Sequence, residues 1–236
     1  MKLLLLPGMD GTGELFSDLR DALSGGFSSI VIKYPPNKKL SFYELAKLVQ
    51  KHFPTDEEFI IVAESFSVPV AIMCAVESPI NLKALVLSAG FIVNSIKGLN
   101  RYIVWILIPI FLRLPLPKSL LKIWLIGGNA NSILSSKVKT IVSSVQKSVL
   151  IDRLKSILKC DVRKEIGEIK IPILYIRAKN DRLIDKSCYE KIKAANSNVE
   201  LLELDGPHFI LQKEPTKSAK IIMKFIDDVY AINDIR

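Results

Sequence analysis

Three side chains in one order could together carry out acyl transfer: Ser65, then Asp181, then His208. A serine hydroxyl is a weak nucleophile alone; it needs a base to take its proton, and the base needs an acid to hold its ring. Ser65 lies in Phe59-Ile60-Ile61-Val62-Ala63-Glu64-Ser65-Phe66-Ser67-Val68-Pro69-Val70. The first half of this run is apolar and β-rich and reads as a buried strand; the second reads as a helix start. A serine at such a sharp turn is forced into strained backbone geometry, so the residues two before and two after it must be small. Here they are Ala63 and Ser67. Asp181 stands in Ala178-Lys179-Asn180-Asp181-Arg182-Leu183-Ile184, and His208 in Asp205-Gly206-Pro207-His208-Phe209, each just after a strand-like run. Open parallel sheets build their sites at the carboxyl ends of strands.

Each residue also has a plainer reading. A lone serine or aspartate at a strand end commonly caps the next helix. Asp185 is available as that cap, which leaves Asp181 free. His52 is the rival base, but it falls on a helical stripe with Phe42, Leu45 and Val49 and reads as a surface or core-edge residue. An oxyanion formed by attack on a carbonyl needs two aimed backbone N–H groups. The sequence offers Phe66, the residue after the serine, and Met9, in the loop Pro7-Gly8-Met9-Asp10-Gly11-Thr12-Gly13. That loop is not a dinucleotide site: its pattern is G-x-x-G-x-G, and the second strand runs into Tyr34-Pro35-Pro36 with no ribose-binding acid. No Lys-Ser/Thr completes a phosphate-binding loop.

The elements that must position these residues can be read from periodicity. Six runs are strand-like: Lys2–Leu6, Ser29–Tyr34, Phe59–Ala63, Ala84–Ser88, Ile171–Arg177 and Val199–Leu204. Most are continuously apolar, as expected of parallel strands covered on both faces. Helical stripes separate them: Leu15, Phe16, Leu19 and Leu23; then Phe42, Leu45 and Val49 behind a Ser41-x-x-Glu44 capping box; finally Ile221, Ile222, Phe225 and Val229 with Pro215 near the start. This alternation predicts an α/β fold with about six mostly parallel strands flanked by helices. About 80 residues between the fourth and fifth strands carry no strand signal. The expected organisation is a core of residues 1–91 and 169–236 with a helical cap, 92–168, its apolar faces toward the site and its basic faces toward solvent.

The chain has 236 residues, 49% of them hydrophobic, which suits one domain with a large core. Its three cysteines are far apart and odd in number, which points to reduced thiols and a cytoplasmic setting. Two histidines are too few for a His-rich metal site, so no metal and no cofactor is expected. The four leucines before Pro7-Gly8 are shorter than a signal-peptide core and read as the first strand. Tyr102–Leu112, interrupted by Pro109, is too short to span a bilayer. The net charge is +9, and residues 92–168 alone, with thirteen basic and four acidic residues, account for all of it. Two readings fit this asymmetry: an anionic partner for the cap, whether an acidic protein or a membrane surface, or simply solvated amphipathic helices. Nucleic acid is not expected.

These residues resemble the α/β-hydrolase superfamily over essentially the whole chain. Leu6-Pro7-Gly8-Met9-Asp10-Gly11-Thr12-Gly13 with Glu64-Ser65-Phe66-Ser67 is similar to small bacterial serine hydrolases and carboxylesterases, and related motifs occur in plant plastid acyltransferases. The departures are Pro7-Gly8 where His-Gly is usual and Ala63 and Ser67 where glycines are usual, and a trimmed, six-stranded sheet without the usual antiparallel hairpin is expected. The plan with its helical cap is also similar to the pimeloyl-acyl-carrier-protein methyl ester esterases of biotin synthesis. The resemblance implies a Ser65–His208–Asp181 triad cleaving a carboxylic ester of a small molecule or acyl chain, and a basic cap suited to an acidic acyl carrier protein. Met9 and the cap residues Tyr102, Trp105, Phe111 and Trp124 would contact the acyl part, packing within the cap being the other reading of these aromatics. Three alternatives stay open: an acyltransferase, an acyl-thioesterase, and a hydrolase-fold binding or membrane-surface protein.

Overall fold

A computed structural model describes residues 1–94 and 132–233. Six strands form one sheet: β1 (Lys2–Leu6), β2 (Ser28–Val31), β3 (Phe59–Glu64), β4 (Leu82–Ser88), β5 (Ile173–Ala178) and β6 (Val199–Leu204). Their order is β2-β1-β3-β4-β5-β6, and every pairing is parallel. The expected α/β class with a six-stranded sheet is what the chain forms.

Strand ends differ from the periodicity reading for local reasons. β2 stops at Val31 because the chain leaves the ladder before Tyr34, whose N–H donates instead to the Gly11 carbonyl at 2.7 Å. β5 starts at Ile173 because Pro172 has no N–H to donate, although its carbonyl still accepts from Leu85 at 3.0 Å.

Alternate side chains of the central strands feed two cores, which is why these strands are apolar throughout. Leu4, Leu6, Ile61, Ala63, Leu85, Leu87 and Tyr175 share one core with α2 (Phe42–Gln50), α3 (Val68–Val76), α6 (Arg163–Glu168) and α7 (Lys186–Ala195). Leu3, Leu5, Ile60, Val62, Val86, Leu174 and Ile176 share the other with α1 (Ser17–Leu23), α8 (Ile210–Lys213) and α9 (Pro215–Asn233). The Ser41–Glu44 capping box opens α2 as expected, and α2 ends at Gln50, so His52 lies beyond it, exposed, with its Nδ1 3.0 Å from the Leu48 carbonyl.

After β4 come α4 (Ser132–Ser144) and α5 (Lys147–Lys159), which touch the segments that follow β1 and β6. Val138 and Ile141 of α4 pack against Leu15 and Phe209. Among the described residues, one cation departs from the expected arrangement of basic faces toward solvent. Arg153 of α5 is turned inward and buried, held by backbone carbonyls. No helix among the described residues is long and apolar enough to cross a membrane.

The chain passes from β1 to β2 on one side and from β3 to β4 on the other, so the strand order reverses between β1 and β3, the place at which open parallel sheets build their sites. The oxyanion-loop candidate follows β1 and Ser65 follows β3, so both stand at that switch point.

Candidate active site

Ser65 adopts φ 51°, a left-handed conformation that costs a non-glycine residue roughly 1–3 kcal/mol. The surrounding structure imposes it. β3 ends at Glu64, a short 3₁₀ turn spans Ser65–Ser67, and α3 starts at Val68 with Pro69 in its first turn. Ala63 and Ser67 are fully buried, so the turn tolerates no bulk at either position. Gly90 completes the fit: a Cβ there would lie 2.1 Å from Val68 Cγ2, so the chain leaving β4 can approach α3 only because it lacks a side chain.

The strained turn points the Ser65 hydroxyl at His208, its Oγ 2.9 Å from Nε2. On the far side of the ring, Nδ1–H donates to Asp181 Oδ2 at 2.7 Å. A carboxylate accepting at Nδ1 fixes the tautomer, leaving Nε2 free to accept the serine proton. Asp181 is itself held, because its Oδ1 accepts from the Leu183 and Ile184 N–H groups at 2.8 and 2.9 Å. Asp185 caps α7 through the Ser187 N–H, so the next helix does not compete for Asp181. His208 and Asp181 side chains are 3% and 2% exposed, which strengthens their interaction by excluding water.

Ser67 contributes more than small size. Its hydroxyl donates to the Pro7 carbonyl and lies 2.6 Å from the Tyr34 hydroxyl, so it ties the serine turn to the loop after β1. A glycine would satisfy the sterics and lose this tie. Burial pushes the Tyr34 hydroxyl well above its usual range, so it stays protonated and able to donate. Glu64, which precedes Ser65, is buried on the sheet's own line. Its Oε2 accepts from Gln212 Nε2 at 3.1 Å, linking the serine turn to α8, two residues beyond His208. Burial pushes the Glu64 carboxyl up to about 8, with Asp10 adding to the rise and the Gln212 bond opposing it.

The structure therefore brings together Ser65, His208 and Asp181, sets Phe66 at the turn behind the serine, and sets Met9 in the adjoining loop. Phe66 anchors its side chain against Phe42, ring centroids 4.9 Å apart. Tyr102, Trp105, Phe111 and Trp124 lie outside the described residues. The sequence reading missed Glu64, Gln212, Tyr34 and Arg153. Their signal is a charged or polar side chain turned inward, which no local pattern marks.

No protein-family model matches the sequence, and no curated protein is a significant match to it. Solved structures match over nearly the whole length. A hydrolase from Oleispira antarctica aligns with TM-score 0.82 at 14% identity, covering 96% of this chain and 90% of its own. An enol-lactonase from Burkholderia xenovorans LB400 aligns with TM-score 0.83 at 14% identity, over 96% and 91% of the two chains. A thermophilic esterase from Thermogutta terrifontis aligns with TM-score 0.82 at 14% identity, over 97% and 90%. The chain has the α/β-hydrolase fold. Within that fold, the serine–histidine–aspartate chain described above stands at the carboxyl ends of β3, β6 and β5 respectively.

Proposed function

We propose that this protein is a serine hydrolase of carboxylic esters. The observation that carries the reading is the hydrogen-bonded chain Ser65–His208–Asp181 on a serine held at φ 51°. In this mechanism Ser65 Oγ attacks the ester carbonyl carbon while His208 Nε2 takes its proton. The developing oxyanion accepts from the Met9 and Phe66 N–H groups. The tetrahedral intermediate collapses, His208 returns the proton to the leaving alcohol, and the acyl group stays on Ser65. Water, deprotonated by His208, then attacks the acyl-enzyme and releases the acid. Asp181 holds the ring and stabilises the imidazolium in both halves. No cofactor takes part in any step.

Esterase and lactonase activities among the solved structures of the same fold support ester chemistry as a class. The segment 92–168 is the cap in this reading. A basic cap favours an ester presented by an acidic partner, of which an acyl chain on a carrier protein is the form we favour. Exposed Lys139, Lys147 and Lys164 in the described part of that segment support it.

The test is a p-nitrophenyl ester panel, with wild type and Ser65→Ala side by side, repeated with a methyl-esterified acyl carrier at low and high salt. Wild type should turn over esters, and Ser65→Ala should lose at least ~10⁴-fold of that rate. Equal rates would refute the assignment of the nucleophile. A carrier ester cleaved no better than the free ester, with no salt dependence, would refute the carrier alone.

A further inference from the structure

The loop that supplies the Met9 N–H is unusually completely tied. Five successive carbonyls, Pro7 through Gly11, all have partners. Pro7 accepts from Ser67 Oγ, Gly8 from Gly11 N–H at 3.0 Å, and Gly11 from Tyr34 N–H at 2.7 Å. Met9 and Asp10 both accept from a single group, Arg153 Nη1, each at 2.8 Å. Arg153 Nη2 donates to the Pro35 carbonyl at 3.2 Å, and its Cζ sits 5.7 Å from the Tyr34 ring centroid. Arg153 is 143 residues from Asp10, in α5, within the segment that follows β4.

Burial makes this an expensive arrangement. Arg153 is 3% exposed, and its donors meet carbonyls rather than a carboxylate among the described residues. Desolvation lowers its proton affinity, and a buried cation is retained only where its hydrogen bonds compensate. The loop is shaped to admit it. Gly11 takes φ +73°, and a Cβ there would lie 2.6 Å from Nη1 and 2.9 Å from Tyr34 Cβ. A guanidinium fork can hold two neighbouring carbonyls in a fixed relation, whereas an ammonium is a point donor on a flexible stem.

We propose that Arg153 is a positioning residue for the oxyanion site: by holding the Met9 and Asp10 carbonyls it fixes the two peptide planes that follow Met9, and so locks the turn closed by Gly11 N–H on the Gly8 carbonyl, whose first peptide carries the Met9 N–H. The proposal rests on the esterase reading. It makes the geometry of the oxyanion site depend on a residue from the helical segment after β4, so α5 must be docked for the site to be complete. Arg153 does not touch the substrate in this role. Its loss should therefore appear in transition-state stabilisation rather than in ground-state binding.

The experiment measures kcat and KM on a p-nitrophenyl ester, and the affinity of an aliphatic trifluoromethyl ketone, which forms a tetrahedral oxyanion with the serine. Wild type, Ser65→Ala, Arg153→Met and Arg153→Lys are compared, with thermal melts to verify folding. Arg153→Met should lower kcat ~100-fold with KM within ~3-fold, and weaken the ketone by the same factor as kcat/KM. Arg153→Lys should fall between, ~10-fold down in kcat. If Arg153→Met does not fold, Arg153→Lys carries the test on the same readouts. A folded variant with unchanged kcat, or with only KM raised, would overturn the role of Arg153 while Ser65-dependent turnover by wild type leaves the esterase reading standing. Wild type without Ser65-dependent turnover would overturn both.

Discussion

Replacing Glu64 by glutamine changes one proton beside Ser65 and leaves the shape of the side chain intact. Glu64 is 1% exposed, and burial is the main reason its carboxyl titrates near 8 instead of 4.5. Glu64 Oε1 and Gln212 Oε1 are both buried without a partner among the described residues, and both are acceptors. A proton on the acid supplies the donor that this pair lacks. Because the folded-state value is raised, the folded protein binds this proton more tightly than the unfolded chain does. Stability from this group is fully present below about pH 4.5, drains away as pH rises from there to about 8, and is flat above. At about 1.4 kcal/mol per pH unit well below the folded value, falling to half that slope at about pH 8, the loss between pH 6 and 8 is about 2 kcal/mol. Glu64→Gln keeps a neutral group there and lacks this loss. Urea unfolding of both proteins from pH 5 to pH 8.5 should give curves that diverge with rising pH, the variant about 2 kcal/mol more stable at pH 8 than its offset near pH 6 implies. Parallel stability profiles would refute the claim that Glu64 is held protonated in the fold.

Two further outcomes follow from contacts in the site. Asp181→Asn should preserve the fold and lower kcat ~10⁴-fold, because an amide at Nδ1 no longer enforces the tautomer that lets Nε2 accept from Ser65; steady-state kinetics on a p-nitrophenyl ester checks it. Ser67→Ala should cost about 2–4 kcal/mol of stability by chemical denaturation, since it strands the Pro7 carbonyl and the Tyr34 hydroxyl in a buried place, whereas Ala63→Gly should leave those contacts intact.

The class of fold was legible because a parallel sheet covered on both faces imprints itself locally. Leu3 to Leu6 and Phe59 to Ala63 are apolar at every position since each residue faces one core or the other. Ser65, Asp181 and His208 were legible for a different reason: their order and their places just after strands are properties of the chain itself, and parallel strands bring their carboxyl ends to one side. The helix caps at Ser41 and Asp185 belong to the same class, being contacts within a few residues.

What the sequence by itself determined, then, is the existence and order of the strands and helices and the caps closed by short-range hydrogen bonds, though not where β2, β5 and α2 end. Tertiary structure alone decided the rest. Ser67 looked like a small residue replacing glycine, and its ties to Pro7 and Tyr34 span 60 and 33 residues. Glu64 fell just past the strand read as Phe59–Ala63 and drew no reading, and its partner Gln212 is 148 residues away. Arg153 looked like one more cation in a basic amphipathic segment. Its side chain is buried because the loop after β1 presents backbone carbonyls and a glycine-sized opening to it. Periodicity reports which face of a helix is apolar, but the direction of a single long side chain is set by the partners that folding brings to it. For that reason Ser65 and the two residues bonded in line with it could be named as candidates from the chain, and the buried groups packed around them could not.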